Sequence, residues 1–123
     1  MSRHIATFIL LPFIMVLASG CSKEVSFARD IQPILKDHCL ECHIKGEEGH
    51  EKSGLSMESY ADLMKGTKFG PVIVAGDSLS STLSRLIAHK ADKTINMPHD
   101  KNQIPLDKIN LFDSWIDQGA KNN

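Results

Sequence analysis

Aromatic side chains are scarce in this 123-residue chain: phenylalanine, tyrosine and tryptophan together make up 6%, with one Trp and one Tyr. A domain of about this size has a modest core at best, and here few large side chains are on hand to fill it. No sign of charge dominates: 14 Lys and Arg face 15 Asp and Glu, a formal net charge of −1. That excludes a nucleic-acid binder working through a basic field, and equally an acidic disordered tail. There is no repeat, no low-complexity stretch and no apolar run of the roughly 20 residues that comfortably span a bilayer. Cysteine is the odd case in the literal sense. Three residues cannot form a closed disulfide framework, so at least one has other work. What remains is ordinary for one soluble domain: 41% hydrophobic and 24% charged residues.

The first twenty residues read as an address and not as fold. Arg3 supplies a positive start, and Ile5 to Ala18 is an uncharged, mostly apolar run interrupted by Pro12, the pattern of a signal-peptide core. The run ends Leu17-Ala18-Ser19-Gly20-Cys21. This resembles the lipobox of bacterial lipoproteins, with Ala18 where leucine is commonest. The resemblance implies that residues 1–20 are removed and that Cys21 becomes a lipidated N-terminus. An ordinary signal or an uncleaved anchor is the alternative. Acyl chains hold a protein to a membrane through about 0.8 kcal/mol per buried CH₂, so the expectation is a chain tethered at the periplasmic side or outer surface of a bacterial membrane.

The other two cysteines stand in Cys39-Leu40-Glu41-Cys42-His43. In C-x-x-C-H, two thiols about one helical turn apart can each add to a vinyl group on one edge of haem, and the adjacent histidine reaches the iron. Other uses of these residues exist. A dithiol redox pair needs no histidine and usually sits in a βαβ context, which is missing here. A zinc site needs a fourth ligand, for which His38 or His50 would have to serve. A disulfide is compatible with export. Export also favours haem, because c-type haem is attached outside the cytoplasm.

Haem held by His43 has a sixth position, with Met57, Met64, Met97 and the other histidines as candidates. Met97 is the strongest. It lies in Asn96-Met97-Pro98, between two helical stretches, and Pro98 prevents the preceding residue from continuing a helix. Met57 and Met64 fall in or beside a helical segment, where packing explains a methionine. His99 is the alternative distal ligand. His89 is expected at a helix end, interacting with its dipole, and His38 and His50 read as solvated. A neutral thioether favours Fe(II), raises the potential relative to two imidazoles and fills the site, which points to electron transfer.

Periodicity predicts four helices. The first is capped by Ser26 or Asp30, with Phe27, Ile31, Ile34, Leu35 and His38 at helical spacing and Pro33 tolerated in the first turn. Ile44 to Gly54 is expected to be a polar, mobile loop. A second helix runs from Ser56 or Ser59 to Lys65, stopped by Gly66. Ile73 and Val74 are expected to line the haem pocket rather than pair as a strand. A third helix spans about Ser80 to His89, capped by Asp77 or Ser78, with Leu79, Leu83, Leu86 and Ile87 as its apolar stripe. The last runs from Leu106 to Gln118, with Ile109, Phe112 and Ile116 on one face.

Phe27-x-Arg29-Asp30-Ile31-x-Pro33-Ile34-Leu35, the Cys39–His43 motif, Gly70-Pro71, Gly76-Asp77, Met97-Pro98 and Trp115-Ile116-x-Gln118-Gly119-Ala120 occur in that order. Together they resemble the planctomycete-type cytochrome c domain, a branch of class I c-type cytochromes, over about residues 26–120. Ser78 departs from it, since many relatives have proline there. The resemblance implies an all-α fold with first and last helices packed together around one covalent haem c. It also implies Cys39 and Cys42 as thioether attachment points, His43 as proximal and Met97 as distal iron ligand. The organisation expected is a signal peptide (1–20), a tether (21–25) and a cytochrome domain (26–120). The expected function is electron transfer between redox partner proteins, without enzymatic activity and without nucleic acid. A haem peroxidase, the electron-entry module of a dehydrogenase and a gas-sensing haem module are the alternatives.

Overall fold

The structure, a computed structural model, describes residues 23–123. The expected signal segment and Cys21 lie outside the described residues. Within them, a π-helical turn at Phe27–Ile31 is followed by five α-helices: α1 (Gln32–His38), α2 (Glu48–Ser53), α3 (Tyr60–Lys65), α4 (Thr82–Ile87) and α5 (Leu106–Asp117). No strand occurs among the described residues, only an isolated bridge between Thr67 and Gly70. None of these helices is long and apolar enough to cross a membrane.

The first helical stretch starts where its sequence allows. Ser26 Oγ accepts the Arg29 amide at 3.2 Å, and the Ser26 amide donates to Asp30 Oδ2 at 2.8 Å. This reciprocal cap satisfies donors that a helix start leaves orphaned. Pro33 falls in the first turn of α1, where its missing N–H costs nothing. Phe27, Ile31, Ile34 and Leu35 are buried on one side, as their spacing predicts.

Three of the scarce aromatics, Phe27, Tyr60 and Trp115, pack against one another, whereas Phe69 is exposed. Phe27 meets Tyr60 edge-on at 5.2 Å between ring centroids and Trp115 at 5.5 Å, edge and tilted geometries that ring quadrupoles favour. Trp115, Phe112, Ile31, Leu35, Leu63 and Ile116 are the fully buried large side chains. Around this cluster the two ends of the described chain are bonded together. Tyr60 Oη donates to the Ala120 carbonyl at 2.8 Å, Trp115 Nε1 to that of Lys121 at 2.9 Å, and the Phe27 amide to Asn123 Oδ1 at 2.8 Å. The π-helical turn and α5 are in contact, matching the end-to-end helix packing that the resemblance implies.

Several local expectations are corrected. The segment expected to be a mobile loop contains α2. The third helix starts at Thr82, not Ser80, because the preceding turn is taken by other bonds: Asp77 Oδ1 accepts the Ser80 amide and Asp117 Oδ1 the Ser78 amide. Ser81 is buried, accepting from the Val74 amide at 2.8 Å and donating to the Asp77 carbonyl at 2.8 Å. Leu79 consequently projects outward, 82% exposed, and does not join the stripe of α4. Ile73 is buried in the core and Val74 is exposed; neither lines the cavity described next.

Candidate functional site

Cys39 ends α1: its amide donates to the Leu35 carbonyl at 2.9 Å. The next residues turn back on themselves, with the Cys42 and His43 amides both donating to the Cys39 carbonyl, at 3.1 and 3.0 Å. That turn directs Cys39, Cys42 and His43 into one cavity of about 390 Å³, which His38, Met97, His99 and Asp100 also line, with Glu48, Gly49 and Lys52 from α2. An adjoining pocket of about 30 Å³ is apolar in character, bounded by Cys39, His43, Met57, Leu83, Ile87, Met97, Pro98 and Ile104. A larger cavity, about 460 Å³, lies beside α1 between Gln32, Lys36, Leu40 and Glu58 and includes none of the cysteines, His43 or Met97. Donor chemistry, not size, identifies the site.

His43 is buried, and its Nδ1 lies 3.2 Å from the Leu55 carbonyl. A carbonyl only accepts, so Nδ1 carries the proton and Nε2 keeps a lone pair for a metal. Burial is the main influence on the ring and lowers its pKa, against the opposing effect of the Leu55 carbonyl; the imidazole is held neutral, the ligating form. Burial likewise pushes the Cys39 thiol up to about 12, with Cys42 adding to the effect, whereas Cys42 is exposed. Cys39 thus sits at the apolar inner end of the cavity and Cys42 at its outer edge.

Met97 is positioned through its backbone. Its amide donates to the Leu86 carbonyl at 3.1 Å, and its carbonyl accepts from His89 Nε2 at 3.1 Å. His89, expected to interact with a helix dipole, instead ties the end of α4 to the distal loop. Buried Asn96 closes the same loop, its Oδ1 accepting the Ala91 amide at 3.2 Å. Met97 lines both the cavity and the apolar pocket. His99 lines only the cavity, and its half-exposed side chain lies 3.5 Å from the Asp100 carboxylate.

The structure brings Cys39, Cys42, His43, Met97 and His99 to one cavity. His38, expected to be merely solvated, is exposed yet borders it. Sequence reasoning did not identify Leu55, whose contribution is a backbone carbonyl that any residue supplies. It also did not identify Gly49. A Cβ there would lie 2.7 Å from the Cys42 carbonyl oxygen, so glycine lets α2 pack against the cysteine turn, where the His50 amide donates to that same oxygen at 3.0 Å. Met57, read as core packing, is buried and also lines the apolar pocket. A Glu41–Lys101 ion pair joins the cysteine turn to the distal loop; neither residue carried a sequence signal.

The residues fit haem. The cavity holds two thiols, a neutral imidazole with a free lone pair and a thioether from a distant segment, beside an apolar pocket suited to a porphyrin face. A bare-metal reading fares differently: among the described residues no group of three or more His, Cys, Asp and Glu side chains is arranged to hold a metal ion, as a zinc site requires. A family model described as planctomycete cytochrome C matches residues 39–100. No curated protein and no solved structure matches the chain.

Proposed function

The chain belongs to the planctomycete cytochrome c family, and from that membership we propose that it is a monohaem electron carrier; from the Leu17–Cys21 sequence we propose that lipid on Cys21 tethers it to the periplasmic side or outer surface of a bacterial membrane. Family membership itself implies haem c and haem-based electron transfer. The observation that carries the finer reading is the convergence of Cys39, Cys42, His43 and Met97 on one cavity. In it, Cys39 and Cys42 would anchor a haem through thioethers, and His43, through Nε2, and Met97, through its sulfur, would be the residues that hold its iron. When bound, the haem supplies a one-electron couple. The Leu55 carbonyl holds the imidazole in its ligating tautomer, and Leu83, Ile87 and Ile104 would exclude water beside Met97. Excluding water and supplying a soft neutral donor both favour the ferrous state. Met97 is preferred over His99 because it alone of the two also faces the apolar pocket. With Met97 as a ligand the iron would have no open position, and a peroxidase or gas sensor needs an open or displaceable one, so this assignment favours a carrier.

The test is the visible spectrum of protein purified from the periplasmic or membrane fraction of a host that matures c-type haem. One covalently retained haem per chain is expected, low-spin, with a sulfur-to-iron charge-transfer band in the oxidised form. A high-spin oxidised spectrum, or haem that extracts into acid acetone, would overturn the reading. Cys21→Ser is expected to release the protein from membranes.

A further inference from the structure

The chain leaves almost no slack between the lipidated residue and the folded body. We propose that the domain lies directly on the bilayer, with the face formed by its two chain ends and the 74–79 turn against the lipid, and is not a head on a flexible arm. The inference rests on the reading of Cys21 as lipid-bearing. Only Ser22 separates Cys21 from Lys23, so the Cα atoms of Cys21 and Lys23 lie at most about 7.6 Å apart, two trans Cα–Cα steps.

Lys23 is already part of the body. Its carbonyl accepts from Gln118 Nε2 at 3.3 Å, and Gln118 Oε1 accepts the Val25 amide at 2.8 Å. Lys121 pairs with Glu24 at 2.9 Å, Arg29 Nη2 donates to the Glu24 carbonyl at 3.3 Å, and Val25 is buried in the core. Residues 23–25 of the expected tether are thus bonded to the folded body.

The surface beside this anchorage suits a lipid interface. The 74–79 turn is bonded to the same end of α5, the Gly76 amide to the Ile116 carbonyl at 2.7 Å and the Ser78 amide to Asp117 Oδ1 at 2.8 Å. It carries Leu79, 82% exposed, and Val74, 46% exposed. Apolar side chains next to an acylated residue gain by entering the headgroup boundary. The first helical stretch runs from Phe27, whose amide is bonded to Asn123 at this face, to His38, and its 7 α-helical residues alone span about 10 Å at 1.5 Å per residue before Cys39. The haem cavity is held at the far end of that stretch, so electrons are exchanged with a partner whose redox site lies in the same thin layer above the membrane.

Acylated mature holoprotein carrying one nitroxide label, at Ser80→Cys, Asn122→Cys or Lys45→Cys, would be bound to phosphatidylethanolamine–phosphatidylglycerol vesicles containing a nickel-chelating lipid. Relaxation enhancement several-fold greater at positions 80 and 122 than at 45 is expected. A twenty-residue Gly/Ser insertion between Ser22 and Lys23, with a root-mean-square span of about 25 Å, should keep the protein on the vesicles and shrink that contrast. Equal or reversed enhancement in a protein that still sediments with vesicles overturns the docked orientation and leaves the anchor standing. Failure of the parent protein to sediment, with Cys21→Ser behaving identically, overturns the anchor and the orientation with it.

Discussion

Replacing Gly49 with alanine sets two effects of opposite sign against each other. Gly49 is inside α2, where alanine is intrinsically better by about 0.8–1.0 kcal/mol. Against that, the new methyl group would stand 2.7 Å from the Cys42 carbonyl oxygen and 3.1 Å from its carbon and Cβ. These are atoms of the turn that presents the haem thiols, and the oxygen is already engaged by the His50 amide, so they cannot move aside as a flexible side chain would. Overpacking costs about 1–3 kcal/mol, and a contact under 3 Å with atoms that cannot yield belongs in the upper part of that range, about 2–3 kcal/mol. The clash wins, and Gly49→Ala should destabilise the holoprotein by about 1–2 kcal/mol, equivalent to about 4–8 °C in midpoint per kcal/mol for a domain of this size. Guanidinium unfolding followed by the haem absorbance and by Trp115 fluorescence measures it, with Glu51→Ala on the exposed side of α2 as a control expected within about 0.5 kcal/mol. The yield of covalent holoprotein should fall as well. A Gly49→Ala protein as stable as its parent would refute the idea that α2 is seated on the cysteine turn.

Met97→Ala should abolish the sulfur-to-iron band, open the iron to added cyanide or CO, and lower the reduction potential, as optical redox titration would record; an unchanged spectrum would assign the distal position to another residue. Tyr60→Phe removes the bond to the Ala120 carbonyl and should cost about 0.5–1.5 kcal/mol in denaturant unfolding, with the spectrum intact. Asp30 has its pKa lowered, first by the Arg29 hydrogen bond and then by the Ser26 amide. Its contribution is therefore full above the unfolded carboxyl value of 3.8 and is lost as pH falls through the lower folded value. Asp30→Asn should be less stable at neutral pH by under about 1 kcal/mol, and the difference from the parent should disappear in strong acid.

The parts that could be read in advance are those where physics leaves a local trace. The C-x-x-C-H motif has a fixed spacing, so Cys39, Cys42 and His43 stand out, and Met97-Pro98 marks a break between helices. The buried stripe of α5, Ile109, Phe112, Trp115 and Ile116, repeats at helical intervals. By contrast α2 buries none of its residues and so has no apolar period to detect. A Glu48–Lys52 pair at 2.5 Å and the His50 amide's bond to the Cys42 carbonyl hold it instead, and polar contacts of that kind leave no hydrophobic period in the sequence. Leu79 fits a helical stripe on spacing alone, but Ser78 is captured by Asp117 across the fold and the helix begins too late to include it. Leu55 contributes only through its carbonyl, which no side-chain pattern records.

The way Met97 is suspended makes that position a socket. Both bonds that fix it, to Leu86 and from His89, run through its own amide and carbonyl and not through its side chain. Whatever stands at residue 97 inherits the same mounting, so histidine, lysine or a non-coordinating residue can be exchanged there while the loop keeps its path. Under the proposed assignment of Met97 as a ligand, a graded series of side chains at 97 would vary the donor while its backbone mounting stays, and differences in redox potential would report chiefly the donor.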